Sequence, residues 1–178
     1  MIFDFLKKRN TDHKISKSSH NFDNNSDTKD ISVIWAMKDK NDLIIALHEY
    51  LSDKCSYGDK LEKLTDQEKT TYLCQELEAE VNNGGFSQFF FNSSGNFAMD
   101  TLYSLKSIGA MKTYELLNRA ISLFPDHIIP KDKAERENLL DEIDEEILNE
   151  LDSAFYNYED NLLELNYNFI MAQKDAFL

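Results

Sequence analysis

Glu80-Val81-Asn82-Asn83-Gly84-Gly85-Phe86-Ser87-Gln88-Phe89-Phe90-Phe91-Asn92-Ser93-Ser94-Gly95 decides how the rest of the chain is read. A helix runs into this stretch and breaks at the glycine pair. Glycine takes a left-handed backbone without steric penalty, and that conformation closes many helices, so Asn83-Gly84-Gly85 reads as a cap. Phe86, Phe89 and Phe90 then recur at i, i+3, i+4, the spacing of a short helix with an aromatic face. Asn92 through Gly95 end it. Each ring buries roughly 150–250 Å2, so these three form the predicted knot of the core. The amides of Asn83, Gln88 and Asn92 have two readings. They form a polar corner for a small ligand near free N–H groups at a helix start, or they satisfy backbone groups left open by two adjacent helix ends.

Upstream, Thr65-Asp66-Gln67-Glu68 is a capping box that opens the helix leading to the glycines. Leu73, Leu77 and Val81 mark its apolar side. Glu76 and Glu80 share another side, read as solvated because unpaired carboxylates are almost never fully buried. An acid/base or metal pair is the alternative, and no third ligand is placed to complete it. Leu43, Ile44, Leu47 and Leu51 predict an amphipathic helix after a cap at Asn41, and Asp30 caps a short apolar run from Ile31 to Met37. Residues 1–29 are polar and low in aromatics, which predicts a flexible arm dispensable for folding. The hexapeptide Met1 to Leu6 is too short for a signal peptide or a span, and its basic residues follow rather than precede it.

Downstream, Leu102, Leu105 and Ile108 are in helical phase, with Gly109 as the stop. Met111, Tyr114, Leu117, Ile121 and Phe124 continue in a second helix that Pro125 ends. Pro130 is read as the first-turn proline of one long helix carrying Leu139, Leu140, Ile143, Ile147 and Leu151. A last helix runs from about Glu159 to Gln173. No segment alternates as a strand does. The expectation is an all-α domain of six to eight helices over residues 30–178.

The 178 residues fit one domain. Two cysteines, Cys55 and Cys74, form no CxxC and suggest a reducing, cytoplasmic setting, and the four histidines show no metal-ligand spacing. No nucleophile–base pair, phosphate loop or cofactor motif is legible, so neither enzyme activity nor a cofactor or metal is expected. The net charge is −14, with balances of +2 over residues 1–40, −6 over 41–130 and −10 over 131–178. A field of that sign repels nucleic acid and membranes and favours a basic protein partner. Between Glu135 and Asp152 nine carboxylates face a single Arg136. On one helix of roughly 25 Å that is about one charge per 3 Å, against one per roughly 1.7 Å in duplex DNA. Two such helices side by side, as in a homodimer, would approach the density of DNA. The expected partner-binding face is Glu135, Asp141, Glu142, Glu145, Glu146 and Asp152, opposite the apolar stripe.

The run from Glu80 to Phe90, with Asn92-Ser93 and Gly95, resembles the signature of a bacterial family catalogued as a domain of unknown function. Ile108-Gly109-Ala110, Leu151-Asp152 and Phe155-Tyr156 are also similar to it, and the resemblance covers roughly Thr65 to Phe177. The best-known member of that family is an acidic DNA-mimic protein that antagonises a helix-turn-helix regulator as a dimer. The resemblance implies an all-α fold and a non-enzymatic protein that occupies the DNA-binding surface of a basic transcriptional regulator. It implies no direct binding to nucleic acid. Two other readings stay open: an immunity-like or regulatory binder that uses an acidic patch without imitating DNA, and a small-ligand binder at the Asn83/Gln88/Asn92 corner.

Overall fold

Capping chemistry sets most of the helix starts. The computed structural model describes residues 30–177, so the expected arm, residues 1–29, lies outside the described residues. Among the described residues eight α-helices are found: α1 (Ile31–Trp35), α2 (Lys40–Lys54), α3 (Asp66–Phe91), α4 (Ala98–Ile108), α5 (Met111–Ile121), α6 (Lys133–Glu142), α7 (Glu145–Phe155) and α8 (Leu162–Ala172). Short 3-10 turns link several of them, and no strand occurs among the described residues. The all-α expectation holds. Asp30 caps α1 as expected. Asp39 caps α2, two residues before the expected Asn41, by accepting from the Asn41 and Asp42 amides. The capping box at Thr65 is complete: Glu68 N donates to Thr65 Oγ1 at 3.2 Å, and Thr65 N donates to Glu68 Oε2 at 2.9 Å.

α3 is the axis of the molecule and packs against α2, α4, α6, α7 and α8. It separates two apolar clusters. One gathers Ile34, Leu43, Leu47 and Leu51 from α1 and α2 with Leu73, Ile170 and Phe177. The other gathers Phe86, Phe89 and Phe90 with Leu102, Leu105, Leu117, Phe124, Leu148 and Phe155. The three phenylalanines are fully buried. Phe86 meets Phe155 edge-on at 6.0 Å, and Phe90 lies 4.9 Å from Phe124, centroid to centroid.

The glycine pair kinks α3 rather than ending it. Gly84 is extended (φ −164°), while Gly85 has φ +74° and ψ −176°. That is not the left-handed cap expected from sequence but the mirror-extended region open almost only to glycine. Gly109 does close α4 in the left-handed conformation, with the Ala110 amide donating to Leu105 O at 2.9 Å.

The acidic segment departs most from expectation. It is two helices, not one, because Ile143 is extended and Asp144 starts α7 by accepting from the Glu146 amide at 2.9 Å. Pro130 is not a first-turn proline: α6 starts at Lys133, and Asp132 caps it. The break also shifts the helical phase, so Leu148 is buried while Ile147 is 39% exposed. Met111, placed in the apolar stripe of α5, is exposed, and Thr113 and Ala120 are buried on that helix instead. α8 is shorter than expected and begins after Asn161, whose side chain accepts from the Glu164 amide.

Candidate partner-binding face

The surface of α6 and α7 is built around a cation that sequence reading placed among carboxylates in solvent. Arg136 is 1% exposed. It falls in phase with Leu140, one turn on, and therefore turns inward with it. Its guanidinium closes the C-terminal end of α3. Nε donates to Phe90 O at 2.5 Å and Nη2 to Asn92 O at 3.1 Å. Nη1 donates to Pro130 O at 2.6 Å and to Asn96 Oδ1 at 2.8 Å. The planar donor fork thus satisfies carbonyls that a helix end leaves open. A side chain at Gly95 would not fit, since its Cβ would lie 2.7 Å from Phe90 O and 3.0 Å from Arg136 Nε. Burial pulls the Arg136 pKa below its ordinary value, with the nearby Glu137 and Asp132 charges opposing that shift.

With Arg136 withdrawn, every exposed charge between Glu135 and Asp152 is negative. Glu135, Asp141, Glu142, Glu145 and Glu146 are exposed, and among the described residues none of them makes an ion pair. Asp141, Glu142, Asp144, Glu145 and Glu146 crowd the corner where α6 gives way to α7. The straight 25 Å row expected of one helix is therefore a corner between two.

Asp152, the sixth residue of the expected face, does not belong to it. It lies in phase with Leu148 and Phe155 and points at the kink in α3. Its Oδ1 accepts from Phe86 N at 2.8 Å, taking up a donor left open where the backbone restarts as helix after Gly85. A Cβ at Gly85 would run into this carboxylate. Burial raises the Asp152 pKa, and the Phe86 amide offsets part of that rise.

The Asn83/Gln88/Asn92 corner is also rearranged. Gln88 Nε2 donates to Glu80 Oε2 at 2.7 Å, and Asn92 Nδ2 donates to both Glu80 oxygens at 3.0 and 2.9 Å. The two amides do not cap backbone ends; they hold a carboxylate across the kink. Asn83 is exposed and outside this cluster. Glu80 is half-buried, as is Glu76, which pairs with His48 Nε2 at 2.9 Å, so the expected solvated face is a line of partnered acids. Desolvation raises the Glu80 pKa, and the two amides act against it. No group of three or more His, Cys, Asp or Glu among the described residues is placed to hold a metal ion. No helix among the described residues is long and apolar enough to cross a membrane. Cys55 and Cys74 are buried and free.

Residues 62–173 match the family described as DMP19-like protein. The chain belongs to the DMP19-like protein family. The matched span takes in the kink in α3, the Arg136 cage and all of α6 and α7. No curated protein and no solved structure matches the chain.

Proposed function

We propose that this DMP19-like protein is a non-enzymatic acidic binder, and that the α6–α7 corner occupies the DNA-contacting surface of a basic regulator as a DNA mimic. The observation that carries this reading is the burial of Arg136. It removes the only cation from residues 135–152 and leaves an outward field of one sign. Lysine and arginine side chains placed for phosphates can be met by carboxylates at comparable spacing, and such contacts act chiefly on association rate and salt dependence. Family membership and the resemblance to a family with an acidic mimic support the same reading. The protein would act in the cytoplasm, in line with its two free cysteines.

The test replaces Asp141, Glu142, Glu145 and Glu146 together by Asn or Gln. Binding of a basic regulator, recovered from lysate by salt-sensitive capture, is then measured at low and high salt with duplex DNA as competitor. The expected result is a loss of about tenfold or more at low salt, carried by slower association, with DNA displacing the parent protein. Unchanged affinity in the variant would show the corner to be solvated surface. Loss of binding without competition by DNA would favour an acidic regulatory binder that does not imitate DNA.

A further inference from the structure

A cavity of about 220 Å3 lies between α5 and the connection from α7 to α8, away from the α6–α7 corner. That volume is below the usual range of roughly 300–1,000 Å3 for drug-sized ligands, so its occupant would be small. Its floor is apolar, with Phe155 at 3% and Leu162 at 2% exposure. Its two walls are held in place. Asp160 Oδ2 accepts from Thr113 N at 2.7 Å and so caps α5, whose own N-cap residue Ala110 offers no side-chain bond. Tyr158 OH donates to Glu78 Oε1 at 3.1 Å and accepts from Asn82 Nδ2 at 2.6 Å, while Tyr156 OH donates to Val81 O at 2.8 Å. The connection is thus fastened to α3 as well as to α5, and the groove is preorganised.

The charges of the groove are of both signs, and two of them are unspent. Lys112 is already engaged, at 3.8 Å from Glu115 Oε2. Arg119 of α5 and Glu159 of the connection both line the cavity, yet among the described residues neither makes an ion pair, with the other or with any third group. A ligand complementary to this lining carries a carboxylate for Arg119, an ammonium for Glu159 and a hydrocarbon body for the floor. We propose that the groove binds a free α-amino acid with an apolar side chain, its carboxylate held by Arg119 and its ammonium by Glu159. A purely anionic ligand would leave Glu159 unpaired and lie close to the Asp160 carboxylate, and a purely cationic one would meet Arg119.

L-Leucine is the probe, titrated calorimetrically into the full chain beside 3-methylbutylamine, which lacks the carboxylate, and 4-methylpentanoate, which lacks the ammonium. Leucine should bind saturably, and each analogue about tenfold or more weakly, the usual scale for a lost charge-assisted hydrogen bond. Arg119→Gln should abolish the preference for leucine over the amine, and Glu159→Gln its preference over the acid. Both side chains are exposed, so the substitutions leave the fold intact. The proposal is overturned if leucine gives no saturable heat up to about 10 mM, if the amine binds as tightly as leucine, or if both variants keep the affinity and preferences of the parent.

Discussion

Two sets of carboxylates divide this acidic molecule. The inner set is Glu68 and Glu80 on α3 and Asp152, which reaches α3 from α7. Glu68 is 1% exposed and takes Lys54 Nζ at 2.6 Å together with the Thr65 amide. Glu80 takes two side-chain amides, and Asp152 takes a main-chain amide. The outer set, Asp141, Glu142, Glu145 and Glu146, has solvent for a partner. The residue types are the same; what differs is which donors converge on them. A desolvated carboxylate survives only where hydrogen bonds replace its water. The inner set is therefore structure, and the outer set is available for binding. Neither charge nor composition separates the two.

The comparison breaks most readily at Arg136, the cation that serves the inner architecture by leaving the outer face. Arg136→Met leaves the Phe90, Asn92 and Pro130 carbonyls without their donor. It should destabilise by about 3 kcal/mol or more in urea titration. A loss under about 1 kcal/mol would mean that water replaces the guanidinium. Gly85→Val comes next, at about 3 kcal/mol, because its φ is forbidden to a β-branched residue and its Cβ meets Asp152. Thermal unfolding indistinguishable from the parent would show that the kink relaxes.

A graded pair sharpens the contrast at Asp152. Asp152→Ala removes the acceptor of the Phe86 amide and should lower stability by about 1–2 kcal/mol. Asp152→Asn keeps an acceptor oxygen and sheds a desolvated charge, so it should change stability by less than about 1 kcal/mol. Equal losses in the two variants would show that the negative charge itself matters. In the outer set, replacing Asp141, Glu142, Glu145 and Glu146 together should move the melting temperature by no more than about 2 °C. A larger drop would place these residues in the inner class.

The smallest effect is a pH slope. Glu80 has its folded pKa raised above the ordinary 4.5 by burial. The folded state therefore holds this proton more tightly than the unfolded chain does. The associated stability is fully present below 4.5 and is lost as pH rises through the raised value. Melting temperature should rise modestly on acidification toward that window, and Glu80→Gln should flatten the slope. The outer-face variant separates this term from general charge repulsion, which also eases on acidification. An identical slope in Glu80→Gln and parent would remove Glu80 from the account.

Much of the fold was legible in the amino-acid sequence because it depends on neighbours a few residues apart. The phase of Phe86, Phe89 and Phe90, the capping box at Thr65 and the stop at Gly109 each act within about one helical turn, whereas the glycine pair, expected as a cap, is a kink. The break at Ile143–Asp144 was local too, but Asp144, an aspartate that can cap, counted only as one more carboxylate of a single acidic helix. A sharper reading had a usable signal: Arg136 is in phase with Leu140, and Asp152 with Leu148 and Phe155. What that signal cannot supply is the acceptor or donor on the other side. Arg136 lies 46 residues from Phe90, and Asp152 lies 66 from Phe86. Helical class, the caps at Asp30, Thr65 and Gly109 and the aromatic core face of Phe86, Phe89 and Phe90 were determined by the sequence read locally. Which acid or base becomes structure and which stays on the surface was decided only when packing brought distant backbone groups within hydrogen-bonding distance, because the stability of a buried polar group depends on its partner and not on its own identity.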